Sequence, residues 1–249
     1  MDIWLAAQGA RHIGPLKGTL LRMIEDQEQI ATTRLVGALD KQQVLEDLLD
    51  ATKPPWRDGT AHLHYLLATP FRYPPLRYGS RFGRRSEPAL FYGALSLPTL
   101  LAEAAYYRFV FWHGMATPPA RPLSTQHSVF EARYATALGV RLQHAPFDAW
   151  HASLTDPADY RTTQALGSAM REAGVAAFEY RSARDPARGA NVALFSPGAL
   201  AQPRPGFTEP WLAETSGRTV RYLAHGAQTI HEFPFEQFAV DGRLPQPAL

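Results

Sequence analysis

The chain contains no cysteine. A disulfide framework, a thiolate zinc site and a thiol nucleophile are therefore excluded, and the composition fits a reducing compartment. No apolar run approaches the ~20 residues that a membrane-spanning helix needs. The N-terminus also lacks the basic-then-apolar pattern of a secretory signal, so a soluble, cytoplasmic protein with no membrane partner is expected. A dominant charge of one sign is missing as well. The 25 basic and 23 acidic residues leave a formal +2, which gives no global argument for direct nucleic-acid binding. Lysine is nearly absent: Lys17, Lys41 and Lys53 are the only three, so 22 of the 25 basic residues are arginine. That bias has two readings, GC-rich codon usage or recognition of anions by planar guanidinium groups.

What is present is an ordinary globular balance, 45% hydrophobic and 19% charged over 249 residues, enough to bury a core without staples. Prolines and glycines punctuate the whole length and predict many short elements. The first ~30 residues show no clear period. A capping-box pattern at Asp40 and Gln43 predicts a helix whose stripe is Val44, Leu45, Leu48 and Leu49, stopped by Pro54 and Pro55. Residues 62–68 form an apolar segment, and residues 77–88 read as a basic loop. A short strand at 89–92 closes at Gly93. Ser96 caps a helix over 97–112, ended by Gly114; its charged residues are only Glu103 and Arg108, which predicts a helix buried all round. Strands are predicted at 127–134, 139–143, 175–181 and 191–195. A helix is expected to open at Asp156 and Pro157, with Leu166, Met170 and Ala173 facing inward and Gly174 as its stop. Residues 219–224 and 228–233 flank a turn at His225 and Gly226. The order implies an α+β domain with a mainly antiparallel, strongly bent sheet. The expected division is a helical N-terminal extension (1–60), a catalytic domain (61–240) and a flexible tail (241–249).

Glu103 is the most informative single residue. On one helix face with Leu100, Tyr107 and Val110, an ionised carboxylate must find partners. It either pairs with an arginine such as Arg108, or faces a cleft where it stabilises positive charge or takes a proton. Arg81 lies between Gly79 and Gly83, where it is either part of a solvated turn or a bidentate phosphate grip. The pattern is neither a P-loop nor a dinucleotide fingerprint. Tyr92 is either a core tyrosine or a flat stacking surface. Ser182 follows a strand, as a cap or as a hydrogen-bonding site residue, and no nucleophile elbow surrounds it. The nine histidines are scattered, and no paired ligand motif argues for a metal.

Taken in order, Phe71-Arg72-Tyr73, Gly79-Ser80-Arg81-Phe82, Leu90-Phe91-Tyr92-Gly93-Ala94 and Thr99-Leu100-Leu101-Ala102-Glu103 resemble the first half of the RES domain. Arg81, Tyr92 and Glu103 follow one another at intervals of eleven residues, the spacing that family shows. Gln164-Ala165-Leu166-Gly167, residues 178–184 and Asn191-Val192-Ala193-Leu194-Phe195 resemble its second half, so the resemblance covers about residues 70–200. Arg181 departs from the pattern, where members more often carry Pro or a small residue. The resemblance implies an enzyme with a fold related to ADP-ribosyltransferases, acting as the toxin of a toxin–antitoxin pair. It also implies NAD⁺ as the substrate and an antitoxin with a helix-turn-helix DNA-binding domain as the partner. NAD⁺ would be degraded by hydrolysis or phosphorolysis; the alternative is transfer of ADP-ribose to a protein target. A non-catalytic module holding a nucleotide or RNA is the reading from another class. By the same resemblance, Glu103 would stabilise the developing sugar cation and Tyr92 would wall the nicotinamide. Arg72 and Arg81 would hold the diphosphate, Ser182 would hydrogen-bond ribose or amide and orient the base, and Asn191 would support them. No metal is expected.

Overall fold

The structure, a computed structural model, describes residues 2–26 and 52–246. The helix expected over Val44–Leu49 lies outside the described residues. Among those residues the helices are α1 (Ile3–Ala6), α2 (Tyr65–Arg72), α3 (Leu97–His113), α4 (His151–Leu154) and α5 (Arg161–Glu172). The strands are β1 (Gly14–Glu25), β2 (Phe91–Ala94), β3 (Leu123–Arg141), β4 (Ala177–Arg181), β5 (Ala190–Leu194), β6 (Thr208–Thr215), β7 (Thr219–Ala224) and β8 (His231–Pro234).

All eight strands form one sheet in the order β1-β2-β5-β4-β3-β6-β7-β8, and β1 also pairs with β3. Every pairing is antiparallel except β3 with β4. Because β1 touches β2 at Leu21↔Ala94 and runs along β3 from Gly14↔Gly139 to Glu25↔His127, the bent sheet closes a ring of five strands. The remaining three extend it past β3. The protein is an α+β fold with a mainly antiparallel sheet.

Of the N-terminal extension expected to be helical, residues 27–51 lie outside the described residues, and within the described part α1 is helical. Residues 14–25 are a strand of the ring. Their period was hidden because Leu16 and Leu20 face the core while Arg22, Met23, Ile24 and Glu25 line a cavity. Ile3 and Ala7 are buried in the same core cluster as Phe82, Leu166, Met170 and Phe178, and Trp4 stacks on Phe147 at 6.0 Å. The segments expected at 127–134 and 139–143 are one continuous strand, since Gly139 sits in register opposite Gly14 rather than breaking it. Sequence reading gave no element at β6, although its burial alternates along its second half.

Two helices hold the site. α3 starts at Ser96, whose Oγ accepts from the Thr99 amide at 3.4 Å, and ends at Gly114. It is not buried all round: Tyr107 and Phe111 are half exposed, on the stripe that continues from Glu103. α5 begins at Arg161, not at Asp156. Asp156 instead caps the preceding turn, with Oδ1 accepting from the amides of Ala158 and Asp159 at 2.8 and 2.7 Å. Leu166 and Met170 are buried as expected, but Ala173 is exposed because the helix has ended at Glu172. The tail expected to fray is pinned as far as it is described. Tyr106 donates to the Pro245 carbonyl at 2.6 Å.

α5 also shapes the arginine loop between α2 and β2. Gln164 Nε2 donates to the carbonyls of Tyr78 and Ser80 at 2.9 and 3.1 Å. Gly79 turns the loop at φ +77, a conformation open chiefly to glycine. Gly167 lets the loop lie directly on the helix, for a Cβ there would stand 1.9 Å from the Phe82 carbonyl oxygen. Gly167→Ala is therefore expected to lower stability by about 1–3 kcal/mol or more, read as a fall in the urea midpoint at unchanged slope. An unchanged midpoint would show that the loop is not seated on the helix in this way.

Candidate active site

Between α3, β1, β2 and the arginine loop lies a cavity of about 390 Å³. Arg81, Tyr92, Glu103 and Asn191, four of the residues singled out in the sequence, line it together. They arrive from a loop, two neighbouring strands and a helix, so their meeting is a product of the fold and not of local sequence.

Glu103 is fixed through one oxygen. Its Oε1 accepts from Ser182 Oγ at 2.6 Å and from Asn191 Nδ2 at 2.7 Å, while Oε2 takes no hydrogen bond from any described residue. The ion pair with Arg108 that the sequence left open does not form. Arg108 donates instead to Glu25 at 2.6 Å and Thr215 at 2.9 Å. A carboxylate held on one oxygen and bare on the other is oriented and still able to act on something in the cavity.

Ser182 does not line the cavity. It is buried at 1% exposure behind Glu103, and its Oγ also accepts from the amides of Arg184 and Asp185 at 3.1 and 3.0 Å. Of the two roles expected of Ser182, contact to the ligand and orientation of the base, the geometry has the hydroxyl on the Glu103 carboxylate and not in the cavity. Arg181, the departure from the family pattern, is exposed at the end of β4 and leaves this turn undisturbed.

Tyr92 is held by its hydroxyl, which lies 2.9 Å from Ser80 Oγ and accepts from the Phe82 amide at 3.1 Å. Burial pushes its phenol up to about 12, so it stays protonated at neutral pH. The ring meets Tyr180 edge-on at 6.4 Å. Arg81 is 8% exposed, whereas Arg77, Arg84 and Arg85 of the same loop face solvent. Its guanidinium lies 4.5 Å from the Tyr160 ring and donates to the Asp156 carbonyl at 2.9 Å. Part of Arg81 therefore ties the loop to the turn before α5.

Arg72 is elsewhere. On α2 it donates to the Pro54 carbonyl at 2.6 Å and stacks 4.1 Å over Trp56, and it lines neither this cavity nor the one beside it. Its expected place on a diphosphate is not supported, because it is buried against the Trp56 ring and the Pro54 carbonyl, away from both cavities. Arg22 and Tyr160 line the cavity without having been singled out in the sequence, and Ser80, Tyr107 and Arg108, named there only beside Arg81 and Glu103, line it as well. Arg22 carried a signal, a single charge inside the run Leu20-Leu21-Arg22-Met23-Ile24. His127, also in the lining, is held down to about 4 by burial and then by Arg108, and is neutral at neutral pH.

Among the described residues no helix is long and apolar enough to cross a membrane. Comparison with curated proteins finds no match. A chain of the crystal structure of the M. tuberculosis MbcT–MbcA toxin–antitoxin complex is similar at 12% identity and a TM-score of 0.47, over 84% of this chain and 91% of that one. The model of the RES domain matches residues 54–216, wider at both ends than the stretch that carries the motifs. Spanning more than half of the chain and containing every residue of the Glu103 cluster, that match makes this protein a member of the RES domain family.

Proposed function

We propose that this protein is the toxin of a toxin–antitoxin pair and that it cleaves NAD⁺ at the nicotinamide–ribose bond. An antitoxin that covers the cleft is its partner in this reading. The observation that carries the reading is the Glu103 carboxylate, anchored through Oε1 and unbonded at Oε2, in one cavity with Tyr92 and Arg81.

The chemistry asks little else of the protein. In NAD⁺ the nicotinamide nitrogen is already cationic. When its bond to C1′ breaks, the electron pair leaves with the ring, which departs neutral without a general acid. Positive charge builds on the ribose, and a fixed carboxylate in a partly buried site stabilises it more than water would. Glu103 Oε2 supplies that charge. The same oxygen can take the proton of the acceptor as its oxygen bonds to C1′. The Tyr92 ring, immobilised by Ser80 and the Phe82 amide, gives the leaving ring a flat wall. Arg81 supplies positive charge in the same cavity.

Free NAD⁺ is the substrate in this reading, with water or phosphate as acceptor. Purified protein incubated with NAD⁺ is expected to release nicotinamide, and a requirement for phosphate would mark phosphorolysis. Release only when a second protein is present and becomes modified would replace degradation by ADP-ribosylation. Glu103→Gln keeps both hydrogen bonds on its carbonyl oxygen and removes the charge, and is expected to slow release by roughly 10²–10³-fold. A non-catalytic binding module would keep its cellular effect in that variant.

Ser182→Ala separates aiming from contact. Because Ser182 touches Glu103 and not the cavity, kcat is expected to fall, by up to ~10²-fold, with KM nearly unchanged. A rise in KM at constant kcat would return Ser182 to the ligand. The two amides left without an acceptor should also lower stability by about 1–3 kcal/mol.

A further inference from the structure

One buried carboxylate takes no part in the proposed chemistry. Asp185 is 8% exposed, and no described arginine, lysine or histidine forms an ion pair with it. Taking an acidic group out of water without a counter-ion is costly unless hydrogen bonds replace the water. Asp185 meets that condition. Oδ1 accepts from the Ala187 amide at 2.9 Å, and Oδ2 accepts from the Gly189 amide at 3.1 Å and from the Thr99 hydroxyl at 2.8 Å. The two amides belong to the turn between β4 and β5. The hydroxyl belongs to α3.

Thr99 is 1% exposed. Its single hydroxyl proton goes to Asp185, so the Ser96 hydroxyl, 2.7 Å away, donates to Thr99. Gly189 leaves room for this contact, because a Cβ there would collide with Thr99 Oγ1. Thr99 precedes Glu103 by four residues, so the two side chains lie on one face of the helix, a turn apart. Both end on the same turn of the sheet. Glu103 Oε1 takes the Ser182 hydroxyl at 2.6 Å, Ser182 Oγ takes the Asp185 amide at 3.0 Å, and the Asp185 side chain returns to Thr99. A helix held at one point can still rotate or slide about it. Held at two points a turn apart, it can do neither without breaking a buried hydrogen bond.

We propose that Asp185 and Thr99 are positioning residues for Glu103. Together they fix the rotation of α3 and its height against the turn that carries Ser182, and so keep the Glu103 carboxylate within reach of its two donors. They line neither cavity and act through Glu103. The consequence for catalysis rests on the NAD⁺ reading above, whereas the consequence for the place of the carboxylate does not.

Thr99→Val keeps the shape of the side chain and removes the contact to Asp185. Thr99→Ser keeps the hydroxyl, and Ser96→Ala removes the cap while leaving the contact. Thermal melting confirms that each variant is folded. Thr99→Val is expected to lower kcat for nicotinamide release roughly tenfold or more, with KM nearly unchanged, and Thr99→Ser to restore it. Asp185→Asn must turn its NH₂ toward one set of donors; it is expected to give the same split, and serves if Thr99→Val does not fold. Ser96→Ala is expected to lower Tm and leave kcat unchanged, which separates docking of the helix from its capping. Because Thr99 and Ser182 act on one carboxylate, Thr99→Val combined with Ser182→Ala should cost less than the product of the single losses. In a crystal structure of Thr99→Val, Glu103 Oε1 is expected to have lost its hydrogen bond to Ser182 or to Asn191. Unchanged kcat in a folded variant, an equal loss in Ser96→Ala, a double variant at the full product, or both hydrogen bonds of Oε1 retained would each overturn the assignment. A wild type that leaves NAD⁺ intact would defeat the cleavage reading, and the structure of the variant would then decide the positioning.

Discussion

Two hydrogen bonds to one carboxylate oxygen tie the molecule together. Ser182 Oγ and Asn191 Nδ2 both end on Glu103 Oε1, joining α3 to the end of β4 and the start of β5. The same serine closes the turn after β4 through the amides of Arg184 and Asp185. Asp185 in turn accepts from Thr99 in the first turn of α3 at 2.8 Å. Helix and sheet are thus clamped at Glu103 and one turn before it, and the carboxylate cannot turn without breaking the clamp. A preorganised charge of this kind does not have to reorient when positive charge develops beside it.

The arginines divide by what surrounds them. Arg77, Arg84 and Arg85 are exposed, and Arg72 is buried against an indole away from the cavities. Arg108 is paired with Glu25, and Arg184 lies 3.5 Å over the Tyr106 ring. Arg81 is half committed to the loop it belongs to. At the cavity Arg22 and Arg81 each donate through Nη1 to backbone carbonyls and leave Nε and Nη2 without a hydrogen bond to the described residues. An arginine-rich composition therefore says little by itself; desolvation and the count of remaining donors decide which guanidinium can hold an anion.

Much of this was legible in the sequence, and the failures have physical causes. Ser96, Pro98 and Gly114 bounded α3 because caps act within one turn, and the intervals from Arg81 to Tyr92 to Glu103 marked three positions that share a cavity. The strand β1 was not legible. A strand whose lower half packs on the core and whose upper half lines a cavity shows no single period. Arg72 and the ligand contact of Ser182 were expected from the resemblance, but burial decides what a polar group can touch, and burial depends on strands far away in sequence. Tyr107 and Phe111 were expected inside for the converse reason. An apolar helix face reads the same whether it meets a core or the mouth of a cavity.

The most direct measurement is a crystal structure of Glu103→Gln soaked with NAD⁺. The account predicts the ribose C1′ of the nicotinamide half beside the residue-103 side chain and the nicotinamide ring on Tyr92. A dinucleotide bound with its adenine beside residue 103, or outside this cavity, would contradict it.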